Sequence, residues 1–234
     1  MSRRALLTGL ASRSLPETDM AALAGTVAGT RRYRRGACVV VAGQDAAHLH
    51  LITEGWAARQ VTMEDGSRQI SDLFLAGDFC DLCALGAAGS GSIVALSALE
   101  VTLVDRSKLL AELGTRPALA LAFLRLALNQ LAIVRTWLAC CGSQEKLQHV
   151  AHLFCELHAR LGSAGLVADH TFYLPLTQEV LADATAMTPV HANRVIQRMR
   201  KEGLISLHSH HLEILDPERL RKLAGFDDAY LAAG

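Results

Sequence analysis

The sequence predicts an α+β protein: an antiparallel β domain, then one long helix, then two short helices followed by two strands. Three observations carry this prediction. Short β-rich runs lie between recurrent glycines over residues 36–105, an apolar run extends unbroken over 117–141, and two capped helical patterns lie within 176–215. At 234 residues the chain is long enough for two modest domains or for one large core.

The composition excludes few partners by itself. Lys and Arg together number 23, as do Asp and Glu, so bulk charge points to neither nucleic acid nor membrane. Two local basic patches stand out, one with seven arginines in residues 1–36 and one in residues 188–203. The second contains Arg194, Arg198, Arg200 and Lys201. Six cysteines without a convincing signal peptide predict reduced thiols in a cytosol.

The N-terminal half is predicted to be built of short strands joined by turns. The runs that predict strands are 37–41, 48–53, 56–62, 68–75, 92–96 and 100–105. Asp65-Gly66 lies between two of them and is a strong hairpin signal, because both residue types tolerate the positive φ of a tight turn. Regular spacing of short strands favours an antiparallel barrel or sandwich.

Residues 117–141 predict a long helix with two apolar faces. One face carries Leu121, Leu124, Leu128, Leu131 and Leu138, and the other carries Leu119, Phe123, Leu126, Ile133 and Trp137. Two apolar faces need two partners, which we interpret as the β domain and the same helix of a second subunit. A central helix in a monomeric core is the alternative on periodicity alone. Arg125 and Arg135 argue against a membrane span, since each charge is costly near a bilayer centre.

The next segment predicts an amphipathic helix over residues 143–162. Ser143 is its predicted N-cap, and Gly162 lies just past its end. Residues 163–175 are predicted to be a loop.

The most informative stretch is residues 176–215. Thr177 is predicted to cap a first short helix, and Thr188 caps a second one that begins at Pro189, where a missing N–H costs nothing. Gly203 ends the second helix, and the following "LISL" and "LEIL" predict a two-stranded wing. The side chains predicted to face outward are His191, Asn193, Arg194, Gln197 and Arg198. Together these features predict a helix-turn-helix that fits the major groove of DNA; the alternative is a helical hairpin with a solvated basic face.

The whole chain resembles the Crp/Fnr family, named for the cAMP receptor protein and the fumarate-nitrate reduction regulator. The resemblance covers roughly residues 20–220 and is strongest at "GDF" (77–79) and at residues 188–205. It implies a homodimer with a cyclic-nucleotide-binding-like antiparallel β-roll, a long dimerisation helix and a C-terminal winged helix-turn-helix. The predicted domains are therefore 1–113 with a helical lead-in, 114–142 and 143–234.

The resemblance implies roles for individual residues in DNA binding. Arg194 matches a position that contacts base edges, and its guanidinium is suited to guanine N7 and O6. Val190 stands where many members have glutamate, so we expect a different sequence preference, with His191 and Asn193 as further polar candidates. Ala186 replaces a usual turn glycine. Thr177, Gln178 and Thr188 match positions that contact the phosphate backbone. The predicted DNA-binding set is Thr177, Gln178, Thr188, Pro189, Val190, His191, Asn193, Arg194 and Arg198.

Members that bind cyclic nucleotide carry a glutamate for the ribose and an arginine for the phosphate after "GDF". Here the glutamate position falls at Leu82, or at Asp81 with a one-residue shift, and the arginine position falls near Gly89. No Lys or Arg occurs between Arg68 and Arg106. Because a buried phosphate without a cation is costly, no response to cAMP is predicted.

The cysteines and histidines suggest other sites. Cys80 and Cys83 form a Cys-x-x-Cys pair, a candidate redox pair and the basis of the alternative function of a thiol-disulfide redox protein. If 79–85 is a strand, however, the two thiols point to opposite faces. Further ligand candidates are Cys38 for a metal, and His48 and His50 for a metal or haem, with the two histidines expected on the surface. Residues 1–37 lack the cysteines of an iron-sulfur cluster, and the vicinal pair Cys140-Cys141 is expected to be packing. We therefore predict no cofactor and no metal.

Taken together, the sequence predicts a cytoplasmic, homodimeric, non-enzymatic transcription regulator that binds a pseudo-palindromic operator in double-stranded DNA. RNA polymerase is a further candidate partner, and no membrane partner is predicted. The effector, the operator sequence and the choice between activation and repression stay open.

Overall fold

The computed structural model describes residues 15–44, 46–86, 89–143 and 145–231. In these ranges a short helix, α1 (Glu17–Gly25), leads into seven strands that form two sheets. The strands are β1 (Val27–Tyr33), β2 (Cys38–Val40), β3 (His48–Glu54), β4 (Ala57–Thr62), β5 (Arg68–Phe74), β6 (Ser92–Ala95) and β7 (Leu99–Asp105). One sheet has the order β1-β7-β3 and the other β2-β6-β4-β5, which confirms the predicted antiparallel β domain.

Every run predicted as a strand contains or overlaps one, but β1 was not predicted. This strand includes Arg31 and Arg32. Only its first and last residues and one residue between them are partly buried, and the others are exposed. It is held through its backbone pairing with β7 and through an ion pair of 2.6 Å between Arg32 Nε and Glu100 Oε2. Charged residues on an exposed strand obscure the apolar alternation on which the prediction depends.

The core of the β domain includes the start of the long helix. Helix α2 (Arg106–Thr115) follows β7, and α3 (Pro117–Ser143) follows α2. Leu51 and Val104 of the β1-β7-β3 sheet share a fully buried cluster with Leu119 and Phe123 of α3. Phe79 joins this cluster, with its ring 5.3 Å from that of Phe123 between centroids.

The two apolar faces predicted for α3 differ in burial. Leu119, Phe123, Ile133 and Trp137 are at most 6% exposed, and Leu126 packs at the edge of the core. The other face is exposed, with Leu121, Leu124, Leu128, Leu131 and Leu138 between 42% and 73% accessible. We call these five residues the leucine face. The helix also continues through Gly142 to Ser143, past the interruption that the sequence predicted.

The described residues form two compact units that divide within α3 between Leu131 and Ala132, and Arg68–Ile70 at the start of β5 group with the second unit. The second unit contains the remaining helices and a three-stranded sheet of order β8-β10-β9. Its elements are α4 (Lys146–Ser163), β8 (Thr171–Tyr173), α5 (Gln178–Thr185), α6 (Pro189–Lys201), β9 (Ile205–His208), β10 (His211–Ile214) and α7 (Pro217–Ala224).

Three predictions for this unit were wrong. The predicted loop 163–175 contains β8, which pairs with β10 rather than with a sequence neighbour. The N-cap of α4 is Glu145 and not Ser143. Glu145 and Gln148 form a capping box, in which the Glu145 N–H donates to Gln148 Oε1 at 3.2 Å, and this box sets the start of the helix. Helix α4 also runs one residue beyond Gly162, where it was expected to have ended.

Candidate DNA-binding surface and ligand cassette

Helix α5 and the turn after it have the predicted helix-turn-helix geometry. The Thr177 hydroxyl caps α5 by accepting from the Val180 N–H at 3.2 Å. After Thr185 the chain turns at Ala186, which has φ +50° and ψ +53°. This left-handed conformation is unfavourable for a residue that carries a Cβ, so Ala186 adds strain to the turn.

Helix α6 presents one face to the core and the other to solvent. Thr188 caps it by accepting from the His191 N–H at 3.3 Å, and Pro189 occupies the first helical position. Its buried residues are Ala192, Val195, Ile196 and Met199, as the spacing predicts. Val190, 63% accessible, His191 and Arg194 lie in solvent on the first two turns.

The polar side chains of α6 differ in how firmly they are held. Asn193 Nδ2 donates to Gln178 Oε1 at 3.1 Å, which links the two helices of the motif. Arg198 Nε donates to Glu202 Oε1 at 2.8 Å on the same helix. Among the described residues, Arg194 has no hydrogen-bonded or ion-paired side chain. Its guanidinium is therefore available to an outside acceptor.

An open groove of about 550 Å³ runs beside the outer face of α6. Lys146 of α4 lines it together with Arg194 and Arg198 of α6. Three cations and few acids give this groove a positive potential, which suits a phosphate backbone.

The wing is a tight hairpin formed by β9 and β10. Ser209 and His210 form its two-residue turn with φ of +48° and +61°, the pattern of a type I′ turn. His208 and His211 are direct cross-strand partners at its tip, and all three wing histidines are exposed.

In the β domain, "GDF" forms a turn anchored to the core. Gly77 has φ +101°, and Asp78 Oδ2 accepts from the Leu75 N–H at 2.8 Å. Phe79 is buried and bridges to Leu51 of β3. The turn therefore fixes the start of residues 80–91, which we call the cassette.

The acidic residue of the cassette, Asp81, is paired with a histidine of β3. Asp81 Oδ2 lies 2.7 Å from His50 Nδ1, and Asp81 Oδ1 accepts from the His50 backbone N–H at 2.9 Å. Both residues are buried, so the expectation that His50 lies on the surface was wrong. Leu82, the other candidate for the ribose position, is also buried.

The arginine position of the cassette is closely lined by two side chains. A Cβ at Gly89 would lie 2.7 Å from Cys83 Sγ and 3.2 Å from Arg59 Nη1, so an added side chain would have to displace the Cys83 thiol. These neighbours leave the site unlike the phosphate cradle that the resemblance describes.

Arg59 of β4 supplies a cation that the sequence window missed. Its Nη2 donates to Cys80 O at 2.8 Å, and its Nη1 donates to Ser90 O at 3.2 Å. Its Nε lies 3.2 Å from Asp72 Oδ2, and its guanidinium stands 5.6 Å from the Phe74 ring centre. The side chain is only 13% accessible. Arg59 is thus fully engaged in holding the cassette to the sheet.

The two cassette cysteines have unlike surroundings. Leu82–Leu85 is a 3₁₀ helix, so the conditional strand reading of 79–85 was wrong. Cys80 is fully buried, and burial raises the pKa of its thiol well above the ordinary value, which disfavours the reactive thiolate. Cys83 is exposed, with its sulfur 3.9 Å from Arg59 Nη2. This geometry does not favour the thiol-disulfide alternative.

The remaining candidate ligands do not assemble into a larger cluster. Over the described ranges, no group of three or more His, Cys, Asp or Glu side chains is arranged to hold a metal ion. Cys38 is exposed and His48 is partly buried. Burial raises the pKa of Cys140 to about 11, and it also raises that of Cys141.

Models of known protein families match both halves of the chain. Residues 148–223 match the model of a Crp-like helix-turn-helix domain, and residues 30–116 match that of a cyclic nucleotide-binding domain. The transcriptional activator protein FnrL of Cereibacter sphaeroides is 27% identical over 205 residues, which are 84% of this chain and 81% of FnrL. The chain belongs to the Crp/Fnr family of transcription regulators.

Further members of the Crp/Fnr family match along most of their length. The fumarate and nitrate reduction regulatory protein of Escherichia coli K12 is 22% identical over 215 residues, covering 91% of this chain and 85% of that protein. FixK2 of Bradyrhizobium japonicum has the same fold, with a TM-score of 0.77 at 19% identity over 85% of this chain and 98% of FixK2. A CooA variant from Carboxydothermus hydrogenoformans gives 0.69 at 17% identity, covering 94% of this chain and 95% of that one.

Membership in the Crp/Fnr family confirms the main prediction from sequence. The chain is a sequence-specific DNA-binding transcription regulator with a cyclic-nucleotide-binding-like domain, a long helix and a C-terminal helix-turn-helix.

Proposed function

We propose that this Crp/Fnr protein acts as a cytoplasmic homodimer that reads a pseudo-palindromic operator with α6 and does not respond to cAMP. The observation that carries the proposal is the outer face of α6, where Arg194 is exposed and has no partner among the described residues. A free guanidinium on the first turns of a capped helix is suited to the O6 and N7 acceptors of guanine.

The other predicted residues divide into base readers and backbone anchors. His191 and Asn193 lie beside Arg194, and Asn193 is already oriented by Gln178. We propose that these three set the base preference, with Val190 offering only apolar contact. Thr177, Gln178, Thr188, Pro189 and Arg198 would contact or position the phosphate backbone, which supplies affinity without sequence information.

The leucine face of α3 supports the proposed dimer. Residues Pro117–Gly142 form a helix long and apolar enough to cross a membrane, yet Arg125 and Arg135 interrupt it. Pairing with the same face of a second copy would bury the leucines, with Arg135 at the heptad position between Leu131 and Leu138 interrupting the apolar seam. A symmetric dimer then presents two α6 helices to major grooves about 34 Å apart.

The cassette supports the absence of a cAMP response. A cyclic nucleotide needs an acceptor for its ribose and a cation for its phosphate. Here Asp81 is paired with His50, Arg59 is bonded to the cassette backbone and to Asp72, and the arginine position is occupied by Gly89. We further propose that the protein is not an enzyme and that RNA polymerase is its partner at promoters.

A DNA-binding selection with two arginine variants tests the assignment. The wild type should enrich one palindromic site from random DNA. Arg194→Ala should lose discrimination at one base pair in each half-site, worth about 1–3 kcal/mol. Arg198→Ala should instead lower affinity on every sequence and reduce the salt dependence.

Two outcomes of this DNA-binding selection would contradict the proposal. Full base preference in Arg194→Ala would contradict the role of Arg194, and the absence of any enriched site for the wild type would contradict the operator. Added cAMP is expected to leave the wild-type affinity unchanged, and a tighter complex would contradict our interpretation of the cassette.

A further inference from the structure

Two histidines from distant parts of the second unit meet beside the wing sheet. His158 lies on α4 and is half-buried, whereas His170 lies in the turn before β8 and is exposed. His158 Nε2 and His170 Nδ1 are 3.3 Å apart and share a hydrogen bond, whose proton a bound metal ion would replace. Their rings stack with centroids 5.4 Å apart, and the Phe172 ring meets that of His158 edge-on at 6.2 Å.

The turn that delivers His170 adopts a conformation that most residues avoid. Ala168 and Thr171 exchange both backbone hydrogen bonds, at 3.0 and 2.7 Å, around the two residues between them. Asp169 and His170 have φ of +47° and +60°, the type I′ pattern for which Asn-Gly is favoured. Asp and His are among the non-glycine residues that are found in this conformation, and the turn places the His170 ring beside that of His158.

The nitrogen separation matches two ligands of one metal ion. Zinc–nitrogen bonds of about 2.0–2.1 Å at a tetrahedral angle place the two nitrogens about 3.4 Å apart. The pair supplies imidazole, which suits zinc, nickel and cobalt(II). We propose that His158 and His170 form a two-histidine site for such a divalent transition metal, with water completing the coordination.

Other charged groups nearby limit the strength of this site. Arg221 places a positive charge near His158. Arg221 repels a cation, but it is drawn toward Asp228 at 3.4 Å and over the Phe226 ring at 4.9 Å.

A metal at this position would connect α4 to the wing. β8 begins at Thr171, directly after His170, and pairs with β10 through Phe172 opposite Leu212. β10 is one strand of the wing hairpin. Metal binding would therefore tie the wing sheet to α4 and stabilise this unit through mass action.

Metal titration of the full-length protein with matched variants tests the proposal. His170→Asn removes the imidazole yet keeps a residue that tolerates positive φ, and His158→Gln removes the other ligand. The wild type should bind one Zn²⁺ at the pair and gain thermal stability. Each variant should lose that equivalent, with at least about a tenfold loss in affinity. His208→Asn, at an exposed histidine of the wing hairpin in this unit, should bind Zn²⁺ as the wild type does.

Cobalt(II) separates this site from the cysteines. Co²⁺ at the histidine pair should give visible d–d bands without the near-ultraviolet charge-transfer band of a thiolate ligand, and His170→Asn should abolish those bands. Zinc stoichiometry and cobalt spectra that are the same in the wild type and His170→Asn would overturn the proposal. Because His170 is exposed, that variant decides the question even if His158→Gln fails to fold.

Discussion

Ala186 shows how a single residue adds strain to the DNA-binding motif. It has φ +50° at the C-terminal cap of α5, where its Cβ serves no buried contact because the residue is exposed. Its backbone N–H still donates to Ala182 O, which closes the helix. The strain is therefore local to the turn.

We expect Ala186→Gly to stabilise the second unit. Glycine removes the Cβ penalty at positive φ, offset in part by its greater freedom in the unfolded chain, for a net gain of about 0.5–1 kcal/mol. Thermal unfolding measures this change. Ala184→Gly, two residues earlier inside α5, should destabilise instead, and equal effects from the two variants would contradict the strain.

At the scale of the element, α4 buries two histidines. His149 is 3% accessible, and burial lowers its pKa to about 4, helped by the charges of Lys146 and His152. Its Nδ1 has no hydrogen-bond partner among the described residues. Burial also lowers the pKa of His152. Both rings are therefore neutral in the folded protein at neutral pH.

The His149 pKa predicts a loss of stability in acid. Because the folded pKa lies below the unfolded value of about 6.5, the unfolded chain takes up the proton first as the pH falls. The free energy of unfolding should decrease from about pH 6.5 toward pH 4, by about 2 kcal/mol at pH 5 from this group. His149→Leu should flatten this dependence in denaturant titrations. His208→Gln, on the exposed wing, should leave it unchanged, and a wild-type slope in His149→Leu would refute the assignment.

A buried carboxylate of α4 accepts hydrogen bonds from α3 and from the C-terminal segment of the same unit. Glu156 is fully buried, and its Oε2 accepts from Trp137 Nε1 and Tyr230 Oη, both at 2.9 Å. Its Oε1 accepts from Arg160 Nη1 at 3.1 Å. Tyr230 also lies 3.1 Å from His152 Nε2, so one hydroxyl serves two buried groups.

Removing the Tyr230 hydroxyl should destabilise the second unit. We expect Tyr230→Phe to lower the free energy of unfolding by about 1–3 kcal/mol, because it takes a donor from a buried charge. Tyr173→Phe is the control, since Tyr173 is 45% accessible on β8. Urea titration compares the two variants, and equal stabilities would show that Tyr230 is not needed by Glu156.

For the whole molecule, the leucine face predicts an obligatory partner. Leu128 is 53% accessible near the middle of α3. Leu128→Glu places a charge in the proposed helix pair, so we expect monomers in sedimentation equilibrium and a loss of operator affinity. Leu166→Glu, at an equally exposed leucine outside α3, should stay dimeric. A monomeric wild type, or a dimeric Leu128→Glu, would contradict the interface.

The features that sequence predicted are those set by nearby residues. Thr177, Thr188 and Pro189 act within one turn of their own helices, and the faces of α3 follow from its period. The features that it missed depend on distant partners. β8 has only three residues and needs β10, Arg59 reaches the cassette from another strand, and the adjacent His158 and His170 are 12 residues apart in the sequence.

The contacts that occupy the Arg59 side chain bear on how the activity of the protein is regulated. A cassette whose charged groups already pair with one another leaves little differential binding energy with which a small anion could switch the molecule. If activity instead requires two chains to associate, operator occupancy at low concentration rises with roughly the square of the amount of chain. The rate at which the cell synthesises and degrades this protein would then itself be the signal.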